Sequence, residues 1–220
     1  MFVISSDFDV PPFNLPDLGD NNSFAGYVEA LEAEILKKLL GITFYNQFIN
    51  ALDALPDSLW SASTTYSNGD TIADTDGNVW TSLQASNLNH AVVEGSWWTL
   101  TESANKWLLL KYGNGYIWSD EDYEWAGLKK MLIPYVYAMW LKDQYDSHTS
   151  NGIIVPEAEN STVISPSRRI AAAYNKFSDY AGAHYETDNS MYGYLVANEI
   201  DFPRAAEKFS EQGYMNAWNV

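Results

Sequence analysis

The densest set of chemistry-bearing side chains in this 220-residue chain is Trp118, Asp120, Glu121, Asp122, Glu124 and Trp125. Paired carboxylates beside tryptophans are what a sugar cleft would need for acid and base work on a glycosidic bond. A simpler account fits the order of these residues. An acidic run directly ahead of an apolar, helix-periodic stretch is favourable charge at a helix N-terminus. The three histidines, His90, His148 and His184, fall in different segments without paired spacing, so a shared metal would depend on tertiary folding alone. Asp70, Asp74, Asp76 and Gly77 have the composition of a calcium loop but the wrong spacing, and no glutamate closes it. A hairpin turn at Asp76-Gly77 explains them better. The chain has no cysteine, which closes thiol catalysis, disulfides and thiolate metal sites. GxxxxGK[ST], GxGxxG and GxSxG are absent as well, so phosphate cradles and nucleophile elbows have no support. We therefore expect no catalytic residue, no metal site, no cofactor and no enzymatic activity.

The elements that would position any site read as mainly helical. Ser23 is placed to cap a helix in which Phe24, Tyr27, Val28, Leu31, Ile35, Leu39 and Leu40 recur every three or four residues. Gly41 should break it, and a second helix over 42–55 should run to the Pro56 stop. After Leu100, a short helix over 107–112 and a long one over 121–145 are expected, the latter kinked at Pro134. Residues 146–164 read as a polar loop. Ser165-Pro166 marks the start of a helix carrying Ile170, Ala173, Tyr174, Phe177, Tyr180, Ala181 and His184. Two shorter helices are expected over 189–199 and 203–211.

Between the helical stretches the character changes. Trp60, Thr64, Thr65, Tyr66, the turn Ser67-Asn68-Gly69-Asp70, the turn Asp76-Gly77 and then Val79, Trp80 and Thr81 are hairpin signals, and residues 60–100 hold neither Lys nor Arg. This reads as a small all-β module inserted over 58–100 into a discontinuous helical domain, 1–57 and 101–220. The proline-bearing segment 1–22 reads as an extended arm that orders only against something else.

Charge narrows the partners. With 29 acidic side chains against 12 basic ones, a phosphate backbone would be repelled over most of the surface, so tight nucleic-acid binding is not expected. The start lacks the basic and apolar regions of a signal peptide, and no stretch of roughly 18 uninterrupted apolar residues offers a membrane span. A soluble, non-secreted chain is expected. Nine Trp, 15 Tyr and nine Phe suit a large aromatic core or extensive contact with neighbours.

Two resemblances add to this. Trp60-Ser61-Ala62-Ser63-Thr64-Thr65-Tyr66, Gly69-Asp70, Val79-Trp80-Thr81-Ser82-Leu83 and Trp97-Trp98-Thr99-Leu100 resemble the family 5/12 carbohydrate-binding modules, the chitin-binding type 3 fold. The resemblance implies a glycan surface, for which Trp60, Tyr66, Trp80, Trp97 and Trp98 are the candidates. In that family, exposed aromatics following the strand equivalent to 79–83 stack on the sugar, whereas here Gln84-Ala85-Ser86-Asn87-Leu88-Asn89-His90 has none. The same five aromatics serve equally as the core of so small a domain.

The flanking parts resemble an uncharacterised family of virion proteins from phages and prophages of Bacteroidetes, associated with head-tail connection. The resemblance rests on Tyr27-Val28-Glu29, Glu34-Ile35-Leu36-Lys37-Lys38-Leu39-Leu40-Gly41, Trp125-Ala126-Gly127-Leu128-Lys129, Asn151-Gly152-Ile153-Ile154, Ser165-Pro166 and Ala173-Tyr174-Asn175. It implies a mainly α, connector-like core that forms a cyclic homo-oligomeric ring beneath the portal and contacts portal, neck and tail proteins. DNA would pass through the ring without sticking, in a virion assembled in the bacterial cytoplasm. Candidate subunit-interface residues are Pro11, Pro12 and Phe13 in the arm and Tyr214 and Trp218 near the C-terminus, whose aromatic surface would be costly to leave in water. The alternative is a glycan-binding accessory protein that acts through the inserted module.

Overall fold

The computed structural model describes residues 2–9, 11–13, 15, 21–56, 59–74, 76–103, 105–149, 166–185, 188–203, 205 and 209. Six α-helices and three small sheets occur among them, so the fold is mixed α/β rather than mainly α. Strands are not confined to the insertion, and this is what overturns the expectation.

The helical body begins with α1 (Asn21–Leu40), which starts two residues before Ser23, and α2 (Ile42–Asp53). They are separated at Gly41, whose φ of 77° a residue with a Cβ avoids. After the insertion come α3 (Lys106–Tyr112), α4 (Leu128–Thr149), α5 (Pro166–Ala181) and α6 (Met191–Ala197). Asn105 caps α3 by accepting from the Trp107 and Leu108 amides, and Ser190 caps α6 through Gly193 N. Pro166 opens α5, where its missing N–H costs nothing. Helix α4 runs on through Pro134 and past the expected boundary at 145, so 146–149 are helical rather than loop. Residues 150–165, the rest of the expected loop, lie outside the described residues. The described residues 203 and 205 sit in turns, and the remainder of the helix expected over 203–211 is mostly undescribed.

Leu36, Leu39, Phe48, Leu128, Met131, Leu132, Val136, Ile170, Phe177 and Leu195 form one buried core in which α4 is packed along α5. Tyr135 and Phe177, 4.8 Å apart between ring centroids, join the two helices.

The helix expected over 121–145 is present from Leu128 on, but its first residues, 121–125, are strand. Residues 114–125 form an antiparallel hairpin, β6 (Asn114–Trp118) and β7 (Glu121–Trp125), in the register Trp118 to Glu121 and Asn114 to Trp125. (Strands β1–β5 belong to the insertion described below.) The residues follow a period of two: Tyr116, Trp118, Tyr123 and Trp125 turn inward, while Ile117, Asp122 and Glu124 are exposed. Ser119 and Asp120 form the two-residue loop with φ of 52° and 67°, the type I′ signature. Neither is the glycine or asparagine that usually announces such a turn. The acidic run is therefore the tip and outer strand of a hairpin, not the start of a helix. Gly113 (φ 103°) and Gly127 (φ 87°) flank the hairpin, each pressed against backbone of the other side.

The arm also departs from expectation, because it orders against its own chain. Phe2 N and Val3 N donate to the Glu32 carboxylate at 2.7–3.0 Å. Residues Ser5–Phe8 form a 3-10 turn, Val3 and Phe8 are fully buried, and Phe8 meets Phe24 edge-on. Lys129 pairs with Asp7 at 2.7 Å, and Phe13 packs edge-on to Tyr137. Burial pushes the Glu32 carboxyl above its ordinary value of 4.5, and the Phe2 and Val3 amides offset only part of that. A raised folded-state value means that this group's contribution is complete below about pH 4.5 and fades as the pH rises through the folded-state value. Glu32→Ala leaves two arm amides without their acceptor and should cost about 2 kcal/mol, read as a lower urea midpoint with faster exchange at the arm amides. Glu32→Gln retains an acceptor, so it should lose less and should flatten the pH dependence.

The insertion contains β1 (Thr65–Tyr66), β2 (Thr71–Ala73), β3 (Val79–Ser82), β4 (Asn87–Leu88) and β5 (Trp98–Glu102). The strand signals are in place, but the Asn68-Gly69 turn does not close a hairpin: β1 pairs with β4, and β2 pairs with β3, which pairs in turn with β5. Tyr66, Ile72, Trp80 and Trp98 are its buried centre. A second patch, Ala73 and Val79 with Leu52, Leu55, Leu59, Leu108 and Tyr112, seats the module on the ends of α2 and α3. Asn105 N donates to Gly77 O at 2.8 Å at the same junction.

Candidate functional site

The acidic run serves the hairpin only in part: Tyr123 Oη donates to Glu121 within β7, and the Glu124 backbone N–H donates to Asn189 Oδ1 and ties β7 to the turn before α6, while the Asp120, Asp122 and Glu124 side chains are exposed. Among the described residues no group of three or more His, Asp or Glu is placed to hold a metal ion. His90 stays in the module, while the side chains of His148 and His184 lie outside the described set. No helix among the described residues is long and apolar enough to cross a membrane.

Asp74 organises the turn of the β2–β3 hairpin, in which Asp76-Gly77 lie as expected. Its carboxylate accepts from Asp76 N, Asn78 N, Asn78 Nδ2 and Trp80 Nε1, all at 2.7–2.9 Å. Burial pushes this carboxyl up, but those four donors outweigh burial and hold it below the ordinary 3.8. The sign is opposite to that of Glu32: the contribution is present above pH 3.8 and is lost as the pH falls through the folded-state value. Asp74→Ala should lower module stability by about 1–2 kcal/mol at neutral pH, seen as earlier loss of the Trp80 fluorescence signal on thermal melting. The penalty should shrink below that pH.

The five glycan candidates do not share one face. Tyr66, Trp80 and Trp98 are buried, Trp98 completely. Trp98 Nε1 donates to His90 O, and Tyr66 meets the Trp98 ring edge-on. Trp60 and Trp97 are half-buried at the edge of that core. The His90 ring lies parallel to Trp97 at 3.6 Å and covers one of its faces, and His90 Nδ1 is 3.1 Å from Asn87 Oδ1. Of the five, Trp60 and Trp97 keep the most exposed surface, and His90 already covers part of Trp97.

A wide recess lies elsewhere, on the body. Helices α4 and α5 flank a groove of about 1010 Å³, and Pro11, Pro12 and Phe13 form one lip. Ile133, Tyr137, Ala172, Ala173 and Tyr180 supply apolar lining, and Lys130, Arg169 and Lys176 are its charged residues. Among the described residues no acid lines it. Lys130 and Arg169 are exposed and form no ion pair among the described residues, while Lys176 Nζ sits 4.6 Å over the Tyr180 ring. Three arm residues expected at an interface thus meet at one recess. Tyr214 and Trp218 lie outside the described residues.

Sequence reasoning missed the cations. Arg169, Ala172, Ala173, Lys176 and Tyr180 recur at helical spacing on one face of α5, a basic and small-residue stripe that was available to be read. Lys130 joins them only through the packing of α4 on α5. Comparison with protein-family models, with curated proteins and with solved structures returns no match to this chain.

Proposed function

We propose that this chain is a structural subunit of the neck of a tailed phage, a head-to-tail adaptor that works by packing against copies of itself and against portal and tail proteins. The observation that carries the reading is the groove between α4 and α5, lipped by Pro11, Pro12 and Phe13 and lined among the described residues by apolar side chains and three cations. A wide, partly apolar recess on a rigid helical pair suits a protein surface better than a small molecule. The family resemblance of the helical segments supplies the context: a cyclic ring in the virion, assembled in the host cytoplasm, through which DNA passes. A strongly acidic chain suits that passage, because a conduit that repels phosphate lets DNA slide. The inserted module is then a decoration seated on the ring.

Particles purified from the natural source test the reading. The chain should co-purify with other virion components in a ring-sized complex after gentle disruption. A free monomer that is instead retained on a polysaccharide column would overturn the adaptor role and make the module the working part.

A further inference from the structure

We infer that the groove between α4 and α5 receives the acidic β6–β7 hairpin of a second copy of this chain, head to tail. The inference rests on the ring reading and gives it a contact.

Net charge makes self-association selective. At a formal charge of −17, two copies repel over most of their surface, so a stable contact has to pair acids with the few places where cations gather. The groove is such a place, with Lys130, Arg169 and Lys176 around an apolar floor and no acid among the described residues of its lining. The hairpin carries the complement. Asp120, Glu121, Asp122 and Glu124 are exposed along its turn and outer strand, and Ile117 beside them is 68% exposed. A two-stranded ribbon with an exposed isoleucine among carboxylates matches an apolar floor rimmed by cations.

The hairpin does not use the groove of its own chain. It is held on α6, with Tyr116 against Tyr194 at 5.8 Å and Glu124 N on Asn189 Oδ1. None of its acids makes an ion pair with Lys130, Arg169 or Lys176. Hairpin and groove are different surfaces, so the contact can repeat head to tail, and it closes into a ring where the rotation between neighbours closes, which is the geometry the ring reading requires. The arm residues Pro11, Pro12 and Phe13 then meet the incoming hairpin as one wall of its seat.

The absence of cysteine makes the test clean. The full chain carrying Ile117→Cys and Ala172→Cys, with Glu124→Cys and Lys176→Cys as a second pair, is oxidised with copper-phenanthroline both as concentrated purified protein and within particles. A ladder of covalent multimers on a non-reducing gel is expected from at least one pair. Adding Lys130→Glu in the presence of Arg169→Glu should reduce the Ile117–Ala172 ladder at least about tenfold. Mixing that variant with chains carrying Glu121→Lys, Asp122→Lys and Glu124→Lys should restore it. Particles that contain the chain but give no ladder with either pair sink the hairpin contact and leave the ring reading standing. A cross-link confined to single chains, or one made to a different virion protein, also overturns the contact. Absence of the chain from particles removes the ring reading and the contact with it.

Discussion

Gly127→Ala should destabilise the protein by about 3–5 kcal/mol, enough to leave a domain of ordinary stability largely unfolded. Two penalties act together. At φ 87° a Cβ is strained wherever it is placed. Here it would also lie 2.5 Å from Tyr112 O and 2.6 Å from the Tyr112 carbonyl carbon, atoms of backbone that cannot rotate away. Gly113 faces the same obstacle from the other side, its Cβ position 2.3 Å from Trp125 O. The chain enters and leaves the hairpin through this crossing, which sets where α3 ends and α4 begins. Gly41→Ala is the control, because it shares the positive φ (77°) but has nothing within 4 Å of the added carbon. It should cost only about 1–2 kcal/mol. Urea denaturation of both variants separates strain from collision, and equal losses would show that the crossing is softer than the distances indicate.

Trp98→Ala should cost about 3–5 kcal/mol, concentrated in the module. Trp98 is the largest fully buried side chain of a small core, set edge-on against Tyr66 and donating from Nε1 to His90 O. Truncation removes that packing, leaves a cavity and frees the segment that positions His90 on Trp97. Hydrogen exchange should show protection lost from β1 to β5 while amides of α4 and α5 keep theirs. Uniform loss across the chain would mean that module and body unfold as one unit. Trp98→Phe should recover part of the loss, since it refills most of the volume but cannot donate.

The helices were legible where local signals agree with tertiary packing. Gly41 separates α1 from α2 and Pro166 opens α5, each a residue whose backbone chemistry allows few alternatives. The module was legible as β structure because aromatic and β-branched runs alternate with turn residues, and its last strand ends at Glu102, two residues past the expected edge. Its pairing was legible only in part: the Asp76-Gly77 turn joins β2 to β3, whereas Asn68-Gly69 turns the chain without joining the strands on either side. The β6–β7 hairpin was missed because Ser119 and Asp120 adopt left-handed backbone that their types do not advertise, and because acids before an apolar stretch imitate a helix start. The arm was misread for a different reason: what fixes it is Glu32, thirty residues away in the chain, and nothing in the arm's own composition reports that. The groove depends on α4 meeting α5, a contact no local pattern encodes.

The seating of the module on α2 and α3 bears on how the chain folds. Those two helices adjoin across Leu52 and Leu108, yet residues 54–105 separate them in sequence. Closing a flexible loop of that length carries an entropic cost on the order of 3 kcal/mol. A module that condenses first, through its own short-range pairings, holds its two ends where the helices meet and removes much of that search. The insertion then acts as a kinetic clasp for the body, and weakening it should slow the refolding of helices it hardly touches.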